Sequence, residues 1–215
     1  MCRLLFVRYD KPFEVRQHLE QFAQIARDSK EFQGHGWGCS YLENGEWQHY
    51  KNIRPIWDDD LTQFGATTQI LAHARSAFQD KDIRIENNMP FHDDKYVFIF
   101  NGELRGVKIR ETGRIGAEKI FNFIKRFDRG DMRRALQRGV EIIKRRTEHV
   151  KAMNIIISDK SKAYVASGFT SDPGYFTLHF KRSNGELIIC SEAYPDEQDW
   201  VEISNHSIQV FSDTC

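Results

Sequence analysis

The chain begins with Met1-Cys2-Arg3-Leu4-Leu5-Phe6-Val7-Arg8, a short apolar run that is partly β-branched. Such a run is typical of a buried strand. Removal of the initiator methionine, which is usual before a residue as small as cysteine, would give Cys2 a free α-amino group. Because that amine titrates at about 7.7 to 8.0, part of it is free at neutral pH to accept the thiol proton. Cys2 is therefore a candidate nucleophile with its own base, although a cysteine in this position alone is more often incidental.

The composition is that of an ordinary globular protein. The 215 residues include 31 Lys and Arg against 31 Asp and Glu, with 40% hydrophobic and 29% charged residues. We predict a single domain over 1–215, and the zero net charge gives no reason to expect nucleic acid or a membrane surface as a partner. Because neither a secretory signal nor an apolar stretch of membrane-spanning length is found, we predict a cytoplasmic protein.

The other three cysteines do not indicate a metal centre or a disulfide framework. Cys39, Cys190 and Cys215 form no C-x-x-C pair, and a chain of this length does not need disulfides to fold. Cys39 and Cys190 lie in apolar segments and are expected in the core, whereas Cys215 is expected to be exposed. No metal and no other cofactor is predicted.

The hydrophobic pattern predicts strands, then two helices, then strands. Asn44-Gly45 and Ser183-Asn184-Gly185 are hairpin turn signals. Helices are predicted over 13–28, 117–127 and 132–147, and strands over 2–8, 36–41, 46–51, 70–78, 96–100, 153–158, 163–166, 175–181 and 186–191. An α+β protein with two sheets packed face to face and helices outside would accommodate this order.

Three further segments contain residues suited to a site. Gly34-His35-Gly36-Trp37-Gly38 places glycines where backbone can approach another group closely or take a positive φ, although a bulged strand has the same composition. Arg75, in His73-Ala74-Arg75-Ser76, offers a planar fork for a carboxylate, although it could be a surface residue at a strand end. Asn101-Gly102 could supply two N–H donors to an oxyanion, or could be a plain turn.

In their order along the chain, these segments resemble the class II glutamine amidotransferase domains. The shared features are the initial Met-Cys, G-x-G-W-G at 34–38, H-x-R at 73–75, N-x-x-P-F in Asn87-Asn88-Met89-Pro90-Phe91, and Asn101-Gly102. The chain is most similar to stand-alone members, and a weaker likeness continues to the segment that begins at Cys190. The resemblance implies an N-terminal-nucleophile hydrolase with a four-layer αββα sandwich of two antiparallel sheets.

The resemblance also implies roles for individual residues. Cys2 would be the nucleophile, Asn101 and Gly102 the oxyanion hole, Arg75 with Ser76 the site for the substrate α-carboxylate, and Trp37 with Gly38 the lining or support of the pocket. The implied reaction is hydrolysis of the side-chain amide of glutamine or a γ-glutamyl compound through a thioester. The leaving group would be ammonia, which a separate synthase partner would use, or a larger amine, for which no partner is needed.

The sequence departs from the family pattern at three positions. Gly116 occupies the place of the Asp that binds the α-ammonium of glutamine, Met89 replaces a histidine, and Phe100 stands where histidine is common. Since an ammonium buried without a carboxylate is unfavourable, Glu118, Glu111 or another acid would have to replace that Asp, or the substrate lacks the amine. These substitutions also leave open a non-catalytic binding or regulatory protein that retains the fold.

Overall fold

The computed structural model describes residues 1–212, so the expectation for Cys215 lies outside the described residues. The strands are β1 (Arg3–Glu14), β2 (Trp37–Glu43), β3 (Glu46–Asn52), β4 (Ala66–Ala74), β5 (Phe91–His92), β6 (Val97–Val107), β7 (Thr147–Ser158), β8 (Lys162–Ser167), β9 (His179–Ser183), β10 (Glu186–Cys190), β11 (Val201–Glu202) and β12 (Ser207–Ser212). The α-helices are α1 (Val15–Arg27), α2 (Gly116–Lys125), α3 (Met132–Arg145) and the single turn α4 (Pro173–Phe176).

These elements form two antiparallel sheets, which confirms the predicted α+β class. One sheet has seven strands in the order β11-β9-β10-β1-β4-β2-β3, and the other has five in the order β12-β8-β7-β6-β5. The sheets fall in different compact units, one made of Met1–Pro90 with Thr177–Ile203 and the other of Phe91–Phe176 with the residues from Ser204 on. A single domain over 1–215 stays a prediction.

In the first unit, α1 covers one face of the seven-stranded sheet. Successive side chains of a strand point to opposite faces, so Leu5 and Val7 of β1 face α1. The apolar side of the helix buries Leu19, Phe22 and Ile25 against them. Burial of apolar side chains on this scale, at about 25 cal/mol per Å², is the main source of stability for the unit. The α1 prediction over 13–28 is confirmed, with the helix beginning two residues later.

Both hairpin signals are confirmed by their backbone conformations. Asn44 and Gly45 have φ of 52° and 78°, and Asn184 and Gly185 have φ of 48° and 84°. Two consecutive residues with positive φ form the turn whose twist matches that of antiparallel strands, and asparagine and glycine tolerate it best. The turns fix the register of β2 with β3 and of β9 with β10.

In the second unit, α2 and α3 lie side by side. Asp131 caps α3, since its side chain accepts a hydrogen bond from the Arg134 N–H at 3.1 Å. Gly139 allows the two helices to approach closely, because a Cβ there would come within 2.7 Å of the Ile124 side chain. Both central helices predicted from the sequence are confirmed.

Three predicted elements differ from the structure. The strand predicted over 70–78 ends at Ala74, before Arg75, and the strand predicted over 175–181 starts as the turn α4 and becomes extended only at His179. The third, β6, runs on to Val107. Asn101 and Gly102 therefore lie inside a strand, and the interpretation of them as a plain turn is wrong.

Candidate functional site

Cys2 lies just before β1 and is partly buried. Its thiol donates a hydrogen bond to the main-chain oxygen of Ser76, with a sulfur–oxygen distance of 3.6 Å. Burial raises the pKa of the Cys2 thiol, while the neighbouring N-terminal ammonium and the Arg75 guanidinium act in the opposite direction. The structure thus brings together Cys2, Arg75 and Ser76, three of the residues predicted from the sequence.

The α-amino group in this structure belongs to Met1. It forms an ion pair with Glu31, and the Met1 carbonyl oxygen accepts a hydrogen bond from Nε2 of the buried Gln33 at 2.6 Å. The nitrogen of Cys2 is therefore an amide in this form of the chain. It can serve as a base only after the methionine is removed.

Arg75 as a whole residue is 95% buried, and its guanidinium is already bound to the loop that follows β4. Its two terminal nitrogens donate to the main-chain oxygens of Asp82 at 2.9 Å and Arg84 at 3.4 Å, and to Oδ1 of Asn88 at 3.2 Å. Among the described residues, three of its five N–H groups thus have partners, which leaves two for a ligand. Arg75 therefore holds the 82–88 loop in addition to any role with a carboxylate.

His35 forms two hydrogen bonds with the main chain on either side of Ser76. Its main-chain N–H donates to the Arg75 oxygen at 3.1 Å, and its Nδ1 accepts from the Ala77 N–H at 2.9 Å. These two bonds span Ser76, whose oxygen receives the Cys2 thiol. His35 therefore fixes the main chain beside Cys2.

Trp37 is fully buried in the hydrophobic core that faces α1. Its ring centroid lies 5.3 Å from that of Tyr50 and 5.9 Å from that of Phe64, and its Nε1 donates to Oδ2 of Asp59 at 2.7 Å. Of the two roles predicted for Trp37, only support of the site fits this position, because the indole lies among core side chains. The sequence could not show which face of β2 carries the indole.

Gly38 is required by close packing of main chain. A Cβ at this position would lie 2.6 Å from the main-chain oxygen of Met89 and 2.8 Å from that of Tyr50. The segment before β5 therefore passes directly over Gly38, as the glycine-rich pattern predicted. A side chain here would displace Met89 and, with it, the neighbouring Asn88 that binds Arg75.

Asn101 and Gly102 lie in β6 of the second unit. Asn101 is fully buried, and neither its amide oxygen nor its amide nitrogen has a hydrogen-bond partner among the described residues. A buried amide without a partner is costly by about 1–3 kcal/mol, and in native proteins it often marks a functional role. A Cβ on Gly102 would lie 2.2 Å from the Ala152 oxygen, so this residue must be glycine for β6 to pair with β7.

Neither acid proposed to replace the missing Asp is free. Gly116 begins α2; Glu118 is bound to the side chain of Arg114 and to its main-chain N–H, and Glu111 pairs with Arg126 at 3.5 Å. A direct contact of Glu118 or Glu111 with an amine would break these bonds.

Glu103 is an acid that the sequence analysis did not single out. It lies two residues after Asn101 on the same strand, so both side chains point to the same face of β6. Its side chain is 90% buried, and the carboxylate contacts Arg105 and, at 4.0 Å, Lys151. The spacing N-x-E within a strand was the signal that could have identified it.

Among residues 1–212, no group of three or more His, Cys, Asp or Glu side chains is arranged to bind a metal ion. No helix in this range has both the length and the apolar character that a membrane crossing requires.

Comparison with known proteins gives the fold. No protein-family model matches the chain, and no curated protein matches it. A glutamine aminotransferase class-II domain protein from Silicibacter pomeroyi has 16% identity and a TM-score of 0.63, with 98% of this chain and 95% of that chain covered. A predicted glutamine amidotransferase from Pseudomonas aeruginosa has 13% identity and a TM-score of 0.64, with 98% and 97% covered.

A third similar structure is larger. Glutamine phosphoribosylpyrophosphate amidotransferase from B. subtilis, complexed with ADP and GMP, has 14% identity and a TM-score of 0.64. The likeness covers 98% of this chain but 49% of that one, so the chain spans about half of its length. Together with the two antiparallel sheets and their helices, these likenesses show that the chain has the fold of class II glutamine amidotransferase domains.

Proposed function

We propose that this protein hydrolyses the side-chain amide of glutamine or of a γ-glutamyl compound through a thioester on Cys2. The observation that carries the proposal is the position of Cys2, whose thiol is held against the main chain of Ser76 in a fold shared with class II glutamine amidotransferase domains. A thiol at the second residue becomes a nucleophile with its own base once its α-amine is free.

The reaction begins once Met1 has been removed. The α-amine of Cys2 accepts the thiol proton, and the thiolate attacks the carbonyl carbon of the substrate amide. The resulting oxyanion requires donors, and the buried amide of Asn101 with the N–H of Gly102 would supply them. Collapse of the intermediate expels ammonia or an amine, which takes the proton from the α-ammonium.

Water completes the cycle. With the α-amine again acting as base, water attacks the thioester carbon, the same donors stabilise the second oxyanion, and the thiol leaves with a γ-carboxylate as the product. Protons are conserved over the cycle, because the amine returns each proton that it accepts, first to the departing ammonia or amine and then to the Cys2 thiolate. No redox step is involved.

Arg75 and Glu103 would recognise the two charged groups on the α-carbon of the glutamyl group. The two N–H groups of Arg75 that have no partner among the described residues suit a carboxylate, with Ser76 beside it. The buried carboxylate of Glu103, two residues from Asn101, suits an α-ammonium in place of the Asp that Gly116 lacks. Its exposed partner Arg105 can move into solvent, so the carboxylate can exchange an ion pair at little cost.

Whether the protein needs a partner depends on which leaving group the reaction releases. If ammonia leaves, a separate synthase would consume it, whereas a γ-glutamyl amide hydrolase would act alone. The cytoplasm is the proposed compartment, since the mechanism needs a free Cys2 thiol. A second candidate is a non-catalytic binding protein, which the absence of an acid at Gly116 favours.

The decisive experiment is the intact mass of untagged protein before and after incubation with a diazoketone analogue of glutamine. We expect a chain that lacks Met1 and gains one adduct, with no adduct in Cys2→Ala. Cys39→Ala, which removes a fully buried thiol in β2, is the control and should still be labelled. A processed chain that takes no adduct and releases no product from γ-glutamyl amides would favour the binding protein.

A further inference from the structure

The N-terminus is seated between two side chains of the segment that follows α1. Gln33 is fully buried, and its Nε2 donates to the Met1 oxygen at 2.6 Å, to the Glu31 oxygen at 2.8 Å and to the Ser29 hydroxyl at 3.4 Å. The Glu31 carboxylate binds the Met1 ammonium. We call Glu31 and Gln33 the N-terminal cradle.

The cradle remains next to the chain terminus after processing. The nitrogen of Cys2 is about 2.3 Å from the Met1 carbonyl oxygen that Gln33 binds, because the two atoms share one peptide group. When Met1 leaves, that nitrogen becomes the α-amine, and the amide of Gln33 loses an acceptor beside it. The site of the new amine is therefore within hydrogen-bond reach of a buried amide whose carbonyl oxygen can turn to accept.

The Glu31 carboxylate can follow the terminus. Its side chain is 36% exposed, so it is free to change rotamer, and the terminal nitrogen moves by only about 3 Å, one residue's N-to-N separation. Two charged side chains act on the Cys2 thiol, the Glu31 carboxylate and the Arg75 guanidinium after β4. A third titratable group, His35 before β2, faces the terminal amine, and burial lowers its pKa. The Arg3 guanidinium on the next residue is directed to Glu192 at 2.6 Å.

We infer that Glu31 and Gln33 are positioning residues, which hold the α-amine of Cys2 over its own thiol in the processed protein. This inference rests on the proposed function. An α-amine on a free chain end rotates, and most of its orientations cannot accept the thiol proton. A buried amide acceptor fixes the nitrogen, and the nearby carboxylate stabilises the ammonium that forms when the amine accepts the thiol proton. The charge of Glu31 also acts to raise the pKa of the Cys2 thiol, so its effect is on the amine and not on the thiolate.

The test is the pH dependence of Cys2 alkylation by a small haloacetamide in the processed protein, followed by intact mass. This readout does not depend on turnover, so it does not fail merely because the substrate is wrong. Removing a carboxylate from an ammonium lowers the amine pKa by about one unit. In Glu31→Gln we therefore expect the inflection of the alkylation profile that reports the amine to move down by about one pH unit.

Two further variants complete the test. Gln33→Met keeps the buried volume but removes the hydrogen bonds, and it should slow alkylation about tenfold without moving the profile as far as Glu31→Gln does. Asp28→Asn removes an exposed charge from the same segment and should behave as wild type. Circular dichroism identifies any variant that fails to fold, and Glu31→Gln, on a partly exposed side chain, is the variant least at risk.

The outcomes separate this inference from the proposed function. If Glu31→Gln and Gln33→Met both keep the wild-type profile and rate, the cradle does not position the amine and the inference is overturned. If the wild type is alkylated as expected but hydrolyses no γ-glutamyl amide, the cradle stands and the proposed substrate fails.

Discussion

Asn101 and Asn154 lie directly opposite each other in β6 and β7, but within residues 1–212 only the side chain of Asn154 has hydrogen bonds. Both residues are fully buried. The amide of Asn154 donates to the Phe176 oxygen at 2.7 Å and accepts from the Gly168 N–H at 3.2 Å, so it ties two loops to the sheet. The amide of Asn101 makes no such bond within residues 1–212, and its position therefore points to a role outside the fold itself.

The two asparagines should respond oppositely to the same substitution. Asn101→Leu should lower kcat by about 10²–10³, the usual effect of removing one oxyanion donor, and should leave the free energy of unfolding unchanged or raised. Asn154→Leu should destabilise the protein by about 1–3 kcal/mol, because it leaves two buried main-chain groups without their hydrogen-bond partner. Urea unfolding and amide hydrolysis by both variants provide the measurement. A large loss of stability in Asn101→Leu would contradict this assignment.

Arg75 should affect substrate binding and loop order together. Arg75→Lys keeps the charge but loses the fork that holds the Asp82 and Arg84 oxygens and Asn88. We expect KM to rise by about 10–100-fold, equivalent to the loss of a charge-assisted hydrogen bond, and amide hydrogen exchange over 78–88 to accelerate. Faster exchange with an unchanged KM would show that Arg75 only holds the loop.

Glu103 should discriminate substrates by their α-amine. Glu103→Gln is expected to raise KM for glutamine by about 10–100-fold and to leave hydrolysis of an N-acylated γ-glutamyl amide nearly unchanged, since that compound carries no ammonium. Glu111→Gln is the matched control, because Glu111 is also a shielded carboxylate in an ion pair with an arginine. An equal response to both variants would exclude Glu103 as the amine site.

The sequence correctly predicted the turns and helices whose conformation depends mainly on residues close together in the chain. The Asn44-Gly45 turn and the amphipathic helix α3 are encoded by neighbouring residues, and both were predicted correctly. The edge strands β11 and β12 were not predicted. They are short or only half-buried and acquire their conformation from pairing with β9 and β8.

The sequence was sufficient to propose which residues form the candidate site, but not to predict which neighbours those residues contact. Cys2, Arg75 and Asn101 were identified from chemistry and a family resemblance, whereas the core position of Trp37 depends on which face of β2 the register assigns to it. Glu103 was missed for a related reason. The strand was predicted to end at Phe100, and beyond the end of a strand the two-residue spacing from Asn101 would not place both side chains on one face.

The pH dependence of stability should reveal a buried histidine that is not part of the candidate site. His18 in α1 lies 3.1 Å from the Tyr194 hydroxyl and 3.4 Å from the Glu186 carboxylate, and its side chain is 12% exposed. Burial lowers the pKa of His18 to about 4, although the charge of Glu197 acts to raise it. The neutral imidazole is thus the form that the folded protein prefers.

Because the unfolded chain binds a proton at His18 near pH 6.5 and the folded chain only near pH 4, stability should fall as the pH drops through this window. The full contribution is present above about pH 6.5, and the loss at pH 4 is roughly 3 kcal/mol. Urea unfolding of wild type and His18→Gln between pH 7 and 4 measures it, with the exposed His149→Gln as control. The free energy of unfolding should change less steeply with pH in His18→Gln alone, because glutamine can still form hydrogen bonds but does not titrate. If the free energy of unfolding of that variant depends on pH as steeply as that of the wild type, the carboxylates and not His18 cause the pH dependence.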